Sequence, residues 1–206
     1  MAQLILMRHA ESIRNAQGIF AGSADVALSE VGKEQAKAAR ETIGLCDIDL
    51  AFASQLRRTR DTLHIAIRHH SQYNRIEIKT LDLLNERNFG KLEGEPKGKT
   101  IERIGVDRFR QWRLGMAEPP EVLQIERFEN LRKRTALFAK NWAFPALLSG
   151  KNVLVVGHSQ WLLAFFLELN PKNWQPSDMD QLPNAVPFIM DCGSSDNLTY
   201  RGSIQP

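Results

Sequence analysis

The alternation of short apolar runs with longer segments of helical periodicity is the feature that most constrains the fold of this chain. Strands are predicted at 3–7, 50–53, 76–79 and 152–156, with edge strands at 185–190 and 197–201. Helices are predicted between them, at 29–43, 57–69, 100–113, 124–148 and 161–169. A chain in which strands and helices alternate typically forms a mostly parallel sheet with helices on both faces. We therefore predict a three-layer α/β/α fold with a mostly parallel central sheet.

The length and composition suit a single globular domain. The 206 residues are enough to bury a substantial core, and the hydrophobic fraction of 43% and charged fraction of 25% are close to the globular average. These values exclude a disordered tail, a collagen-like fibre and a coiled-coil rod. The sequence contains no linker between two domains, so we predict one domain over 1–206. The loop over 115–122, with its two prolines, borders a lid predicted around 90–122.

Charge and cysteine content limit the partners and the compartment. The net charge of +3 is too small for a nucleic-acid-binding surface, and no motif combines basic and aromatic residues as RNA-binding modules do. Cys46 and Cys192 cannot build a disulfide scaffold, and the apolar run before Arg8 is too short for a signal peptide or a membrane span. We expect a cytoplasmic protein with no nucleic-acid or membrane partner, and a homo-oligomer stays open.

Polar motifs follow the apolar runs and place charged side chains near the ends of the predicted strands. LILMRHAES carries Arg8 and His9, SQLRRTRDT carries Arg58, LNERNFG carries Glu86, and VVGHS carries His158. An Arg-His pair alone carries little information, but four such motifs in one chain carry much more. Ligands of open α/β sheets bind where the carboxyl ends of the strands meet. We therefore expect a ligand site at this edge of the sheet.

Together these motifs resemble the histidine phosphatase superfamily, whose signature is Arg-His-Gly near the N-terminus and a second histidine late in the chain. Ala10 stands here at the glycine position. The segments FAGSADVALSEVGKEQA, LNERNFGKLEG and LPNAVPF are similar to the cofactor-dependent phosphoglycerate mutase branch. The resemblance extends over about residues 3 to 191. It implies the phosphoglycerate mutase-like fold and a phosphoryl-transfer enzyme.

Elementary chemistry supports the roles that this resemblance implies. A neutral imidazole can attack phosphorus and later leave, so His9 is the predicted nucleophile. Planar guanidinium groups suit the charge that spreads over the equatorial phosphoryl oxygens, and no metal is then required. Arg8 and Arg58 fit that task, and Glu86 matches the acid that protonates the leaving oxygen. The resemblance adds His158 and Asn15 as further donors to the phosphate.

The residues around the rest of the substrate depart from the family pattern. Similar sequences place a tyrosine, a lysine and two adjacent arginines there. This chain has Phe89, Lys97, and Arg113 followed by Leu114. The family motif His-Gly-Asn-Ser is also altered, because Ser159 and Gln160 follow the late histidine. The candidates for substrate binding are therefore Phe89, Lys97, Arg113, Ser159 and Gln160, together with Ser23 from the earlier motif FAGSADVALSEVGKEQA.

These departures favour a phosphatase for a small phosphorylated metabolite over a mutase. A mutase must retain a doubly phosphorylated intermediate, and the loss of one arginine weakens that retention. One charge pair at about 4 Å contributes roughly 4 kcal/mol with surface-like screening. The alternatives are a phosphoglycerate mutase primed by 2,3-bisphosphoglycerate and a non-catalytic protein that binds a phosphorylated ligand. The phosphatase itself needs no cofactor.

Each site residue also has a structural interpretation. Arg58 could belong to a solvated helix face, Glu86 could pair on the surface with Arg87 or Arg103, and His158 could be a buried structural histidine. Three further histidines, His64, His69 and His70, are interpreted as structural because their spacing suits no metal site.

Overall fold

The structure is a computed structural model that describes residues 1–117, 123–170, 182–193 and 198–203. In these residues six strands form one sheet in the order β3-β2-β4-β1-β5-β6. The strands are β1 (Gln3–Arg8), β2 (Leu50–Ser54), β3 (Glu77–Leu81), β4 (Val153–Gly157), β5 (Pro187–Cys192) and β6 (Leu198–Ser203). The first four run parallel to one another, and β5 and β6 are antiparallel to their neighbours. The predicted mostly parallel sheet is therefore confirmed.

Helices cover both faces of this sheet. They are α1 (Ile13–Ala16), α2 (Glu30–Ile43), α3 (Arg57–Ile67), α4 (Lys97–Ile104), α5 (Val106–Arg113), α6 (Phe128–Phe138), α7 (Phe144–Leu148) and α8 (Ser159–Leu169). Alternate residues of a strand point to opposite faces, so Ile5 packs with α2 and α3, and Leu6 packs with α6 and α8. The predicted three-layer arrangement follows from this division of the core.

Two segments that are predicted as single helices are each divided into shorter helical elements in the structure. The helix predicted at 100–113 is divided at Gly105, whose φ of +83° no helical residue adopts, and its first half begins at Lys97, three residues before the predicted start. The helix predicted at 124–148 begins only at Phe128 and contains a π-helical segment, Ala139–Ala143. Its last part, α7, has Pro145 near its start, where proline is tolerated.

The remaining boundaries agree more closely. Ser29 caps α2 as predicted, because its Oγ accepts a hydrogen bond from the amide of Gly32 over 2.9 Å. The prediction that 185–190 is an edge strand is wrong, because β5 lies between β1 and β6. Residues 118–122 of the predicted loop, and Asn197 of the predicted last strand, lie outside the described residues. No helix in the described ranges is long and apolar enough to span a bilayer.

Candidate active site

The parallel strands deliver the predicted residues to one edge of the sheet. Arg8 ends β1, and the amide of His9 donates to the Gly157 carbonyl at the end of β4 over 2.9 Å, which ties these strand ends together. A cavity of about 380 Å³, its open mouth included, lies at this edge. It is lined by Arg8, His9, Asn15, Phe20, Ala21, Gly22, Arg58, Glu86, Phe89, Lys97, Arg113 and Ser159.

The ring of His9 is buried and held in one tautomer. Nδ1 lies 2.6 Å from the carbonyl oxygen of Ala10. Because a carbonyl can only accept, Nδ1 carries the proton and Nε2 carries the lone pair. Burial, followed by the charges of Arg58 and Arg8, holds the pKa of His9 well below its usual 6.5. The ring is therefore neutral at neutral pH, the state that a nucleophilic imidazole requires.

Ala10, at the glycine position of the family signature, has no positive φ and so does not need a glycine's backbone freedom. Its side chain is fully buried, and its amide donates to Oγ1 of Thr62 in α3 over 3.0 Å. The alanine carbonyl thus keeps the orientation that fixes the His9 ring. The exchange of glycine for alanine is therefore compatible with the predicted role of His9 as nucleophile.

The ring of His158 packs against that of His9 in an edge-to-face arrangement, with the two ring centroids 5.1 Å apart. Nε of Arg58 donates to Nδ1 of His158 over 3.3 Å, so the other ring nitrogen, Nε2, donates to Oγ of Ser54 over 2.8 Å. Burial and the charge of Arg58 lower its pKa well below 6.5. The ring is thus neutral, and its single N–H is already bonded to Ser54. His158 is also absent from the residues that line the cavity, so this arrangement does not present it to a ligand, and its role as a donor to phosphate stays a prediction.

The two arginines are fixed by backbone carbonyls rather than by acids. Arg8 donates to the Leu182 carbonyl over 2.8 Å, and Arg58 donates to the carbonyls of Gly22 and Ala24 over 2.7 and 2.8 Å. Burial lowers the pKa of each guanidinium to about 10, which leaves both cationic at neutral pH. Carbonyl oxygens hold these groups without neutralising them, so their positive charge stays available to an anion in the cavity.

Glu86 is oriented by the backbone at the start of α8. Its carboxylate accepts from the amides of Arg87 over 2.9 Å, Trp161 over 3.2 Å and Gln160 over 3.4 Å. The residue is 9% exposed, so the alternative of a surface ion pair is wrong. A carboxyl group held at the wall of the cavity that His9 also lines is placed to exchange protons with a bound phosphate ester.

Two further cations line the cavity together with an aromatic wall. Burial, and then the charges of Arg113 and Arg8, lower the pKa of Lys97 to about 8. Arg113 donates to Oγ of Ser159 over 3.0 Å. Phe89 packs against Phe20, with ring centroids 5.2 Å apart, and offers no hydroxyl to a ligand. Asn15 also lines the cavity, and its Oδ1 accepts from the hydroxyl of Ser12 over 2.8 Å.

Two predicted substrate-binding residues are not brought to the cavity. The hydroxyl and amide of Ser23 donate to the carboxylate of Glu93 instead. Gln160 is 3% exposed and contributes its backbone amide to Glu86, while its side chain does not line the cavity. Leu114, at the family's second arginine position, packs against the core that includes α6 and α8.

Sequence reasoning missed the residues that support the predicted catalytic side chains. Oγ of Ser54, the last residue of β2, contacts both the His158 ring and Thr59, and Thr62 holds Ala10. The position of Ser54 at a strand end was a usable signal. The sequence could not reveal that the carbonyls of Gly22 and Ala24 hold Arg58, because every residue has a carbonyl group whatever its side chain.

Comparison with known proteins agrees with this geometry. The family model described as the histidine phosphatase superfamily (branch 1) matches residues 4–192. This chain belongs to the histidine phosphatase superfamily, branch 1. A relative from Tropheryma whipplei (strain Twist), a 2,3-bisphosphoglycerate-dependent phosphoglycerate mutase, is 30% identical over 226 aligned positions that include 100% of both chains.

Two solved structures share the fold of this chain. A mycobacterial glucosyl-3-phosphoglycerate phosphatase has a TM-score of 0.78 at 20% identity, covering 100% of this chain and 99% of that one. A phosphoserine phosphatase from Entamoeba histolytica has a TM-score of 0.76 at 21% identity, covering 98% and 96%. As a member of this superfamily, the protein is a phosphoryl-transfer enzyme.

Proposed function

We propose that this superfamily member is a metal-independent phosphatase that hydrolyses a small phosphorylated metabolite through a phosphohistidine on His9. The observation that carries the proposal is the tautomer of His9, whose Nδ1 proton bonded to Ala10 leaves the Nε2 lone pair for attack. The cationic guanidinium groups of Arg8 and Arg58 line the same cavity. Nucleophile and charge stabilisation are thus supplied by side chains that are fixed before substrate arrives.

The reaction proceeds in two displacements that share one phosphorus atom. Nε2 of His9 attacks phosphorus, the bond to the ester oxygen breaks, and the carboxyl group of Glu86 gives that oxygen a proton. Water then attacks phosphorus, Glu86 takes a proton from this water, and the phosphorus–nitrogen bond breaks to release inorganic phosphate.

The cavity wall favours hydrolysis over mutase turnover. Phe89 supplies no hydroxyl, and Leu114 lies in the core instead of adding a cation beside Arg113. A doubly phosphorylated intermediate is therefore retained less well, and water competes better for the phosphohistidine. The family relatives named as 2,3-bisphosphoglycerate-dependent mutases support the alternative, in which that bisphosphate would serve as the primer.

One paired assay separates these functions. Purified protein is given p-nitrophenyl phosphate in the presence of EDTA, and in parallel 3-phosphoglycerate with and without 2,3-bisphosphoglycerate. We expect phosphate release that EDTA does not reduce, together with little interconversion of 3- and 2-phosphoglycerate. Mutase turnover stimulated by the bisphosphate would reverse the assignment. Absence of both activities on a range of phosphorylated metabolites would favour the non-catalytic alternative.

A further inference from the structure

A broad groove lies beside the cavity that His9 lines. Its volume is about 1140 Å³, the open side included, and most of its lining side chains are polar, among them Asp82, Asn85, Asn88 and Asn130. Asp82 and Asn85 follow the carboxyl end of β3, so the groove lies at the same edge of the sheet as the cavity. Sites for small molecules typically measure roughly 300–1,000 Å³, so the space suits such a ligand.

Glu86 lines both the groove and the cavity. In the proposed reaction its carboxyl group protonates the ester oxygen, so that oxygen must lie beside Glu86, where the two spaces meet. Gly22 of the cavity and Ser23 of the groove are also neighbours in the chain. The part of the substrate that leaves with the ester oxygen therefore has the groove within reach.

The groove differs from the cavity in charge. The cavity combines one acid with four cationic side chains, namely Arg8, Arg58, Lys97 and Arg113. The groove combines three acids with two arginines, namely Asp82, Glu86, Glu126, Arg127 and Arg134. One of these arginines is further neutralised, because the Glu126 carboxylate accepts from Nε and Nη2 of Arg134 over 3.0 Å each. An anionic group would gain little in the groove, so a neutral ligand fits it better.

Two asparagines offer hydrogen-bond donors in the groove. Oδ1 of Asn85 accepts from the amide of Gln55 over 3.1 Å, and Oδ1 of Asn88 accepts from the amide of Gly90 over 2.6 Å. Because a backbone amide can only donate, these contacts fix which side-chain atom is the oxygen. The NH₂ group of each asparagine thus keeps its protons, and no acceptor for them is found among the described residues.

Asp82 and Asn130 add a carboxylate and a third amide to this groove. Both residues are exposed, and their side chains have no hydrogen bond or ion pair within the part of the chain that the structure describes. A hydroxyl group has one proton to donate and two lone pairs that accept, so it can bond to both kinds of group. This set of side chains therefore suits a ligand that carries several hydroxyl groups.

Arg134 holds the walls of the groove in place. Its Nη1 donates to the carbonyls of Leu83 and Asn85 over 2.9 and 3.0 Å, while its other nitrogens bind Glu126. The amide of Glu126 donates in turn to the Asn88 carbonyl over 2.9 Å. The segment after β3 and the segment before α6 are thus joined before a ligand binds, which lowers the entropy cost of binding.

We propose that this groove binds the leaving group of the substrate, and that this group is neutral and rich in hydroxyl groups, as a sugar is. The phosphoryl group occupies the cationic cavity, the ester oxygen lies at Glu86, and the hydroxyl groups bond to the asparagine amides and to Asp82. The inference rests on the proposed function, because it places the phosphoryl group at His9. It adds the chemical class of the substrate.

A matched pair of ligands isolates the hydroxyl groups. Glucose 1-phosphate and cyclohexyl phosphate both carry one phosphate on a six-membered ring, and only the first has hydroxyl groups on that ring. Their dissociation constants are measured by titration calorimetry on the full chain carrying His9→Asn, which removes the nucleophile and prevents turnover. Because the two ligands have the same charge, the ratio of their constants cancels the effect of a substitution on phosphate binding.

The His9→Asn chain should bind glucose 1-phosphate more than about tenfold more tightly than cyclohexyl phosphate. Adding Asp82→Ala should reduce this ratio about tenfold, the scale of one hydrogen bond to a charged group, and adding Asn130→Ala should reduce it about threefold. The matched control is Asn74→Ala, which changes an exposed asparagine before the opposite end of β3 and should leave the ratio unchanged.

Two results would overturn the proposal. The first is equal binding of both ligands by the His9→Asn chain, and the second is a ratio that neither Asp82→Ala nor Asn130→Ala changes. Failure of the proposed function is distinguishable from these results. If the ratio responds as expected but the protein hydrolyses no phosphomonoester, the phosphatase assignment fails while the groove stands. If the protein hydrolyses p-nitrophenyl phosphate but the ratio does not respond, the groove fails and the phosphatase stands.

Discussion

At the scale of single residues, the proposed chemistry depends on the carboxyl group of Glu86, which would give and then take a proton. Glu86→Gln keeps the side-chain shape but removes this exchange, so hydrolysis of alkyl phosphates should fall by about 10²- to 10⁴-fold. An aryl phosphate needs less protonation because its leaving oxygen is already stable, so its rate should fall less. The check is kcat/KM for glycerol 3-phosphate and for p-nitrophenyl phosphate in both proteins. An equal loss on the two substrates would contradict the acid role of Glu86.

The lowered pKa of Lys97 predicts that substrate binding by the free enzyme depends on pH. Its lowered pKa of about 8 means that the free enzyme loses this cation as the pH rises through that value. A profile of kcat/KM reports the free enzyme, so kcat/KM for 3-phosphoglycerate should decline above pH 8. Lys97→Arg keeps a charge over this range and should remove the decline. A decline that persists unchanged in the arginine variant would show that another group titrates.

Most residues that line the candidate site are predictable from the sequence, and their hydrogen-bond partners are not. Arg8, His9, Arg58 and Glu86 all line one cavity, because strand ends and motifs mark such positions. Ser23 was predicted there as well, but its hydroxyl donates to Glu93, an acid far from it in the chain. The direction of a loop side chain depends on such distant partners, which no local motif encodes.

At the scale of secondary-structure elements, the junction between α4 and α5 controls where two of the cations lie. Gly105 combines φ +83° with ψ 154°, a region that only glycine occupies readily. Gly105→Ala should therefore lower the free energy of unfolding by about 1–3 kcal/mol, although no neighbouring atom lies within 4 Å of the added carbon. Because Lys97 and Arg113 stand at the outer ends of these helices, KM for 3-phosphoglycerate should also rise.

Gly98→Ala provides the matched control within α4. This glycine has no positive φ and no atom within 4 Å of an added Cβ, so alanine should stabilise the protein by about 0.4–1 kcal/mol. Urea unfolding of both variants measures the difference. A Gly105→Ala protein as stable as the parent would contradict the backbone requirement at this junction.

Helix interruptions explain where the predicted elements departed from the observed ones. The 100–113 segment has continuous helical periodicity, and periodicity does not reveal that Gly105 takes a positive φ. The π-helical segment Ala139–Ala143 likewise lies inside a run that reads as one helix. The strands were predicted more closely, because buried parallel strands such as Val153–Gly157 are continuous apolar runs.

At the scale of the whole molecule, the two buried histidines of the site make the free energy of unfolding depend on pH. His9 and His158 both have a pKa well below 6.5 in the folded chain, whereas an unfolded histidine titrates near 6.5. As the pH falls below that value the unfolded chain binds protons that the folded chain does not, so folding becomes weaker. Plotted against pH, the free energy of unfolding therefore has a positive slope in this range, to which each histidine contributes up to about 1.4 kcal/mol per pH unit.

This slope can be measured by urea unfolding between about pH 6.5 and 5. The variant His9→Asn removes one of the two rings that bind a proton only when the chain unfolds, so it should show a clearly shallower slope than the parent chain. Replacement of an exposed histidine, His64→Asn, serves as the control and should leave the slope unchanged. An equal slope in His9→Asn and the parent would show that the His9 ring is not held neutral by the fold.

The central claim concerns one atom, Nε2 of His9, and the covalent intermediate can be examined directly. The protein is mixed with a phosphate donor and quenched in base, which preserves phosphohistidine, and the site is located by mass spectrometry and by NMR of the isolated peptide. We predict a single acid-labile phosphoryl group on Nε2 of His9, and none in His9→Asn. A phosphoryl group on another residue, or on Nδ1 of His9, would contradict the account.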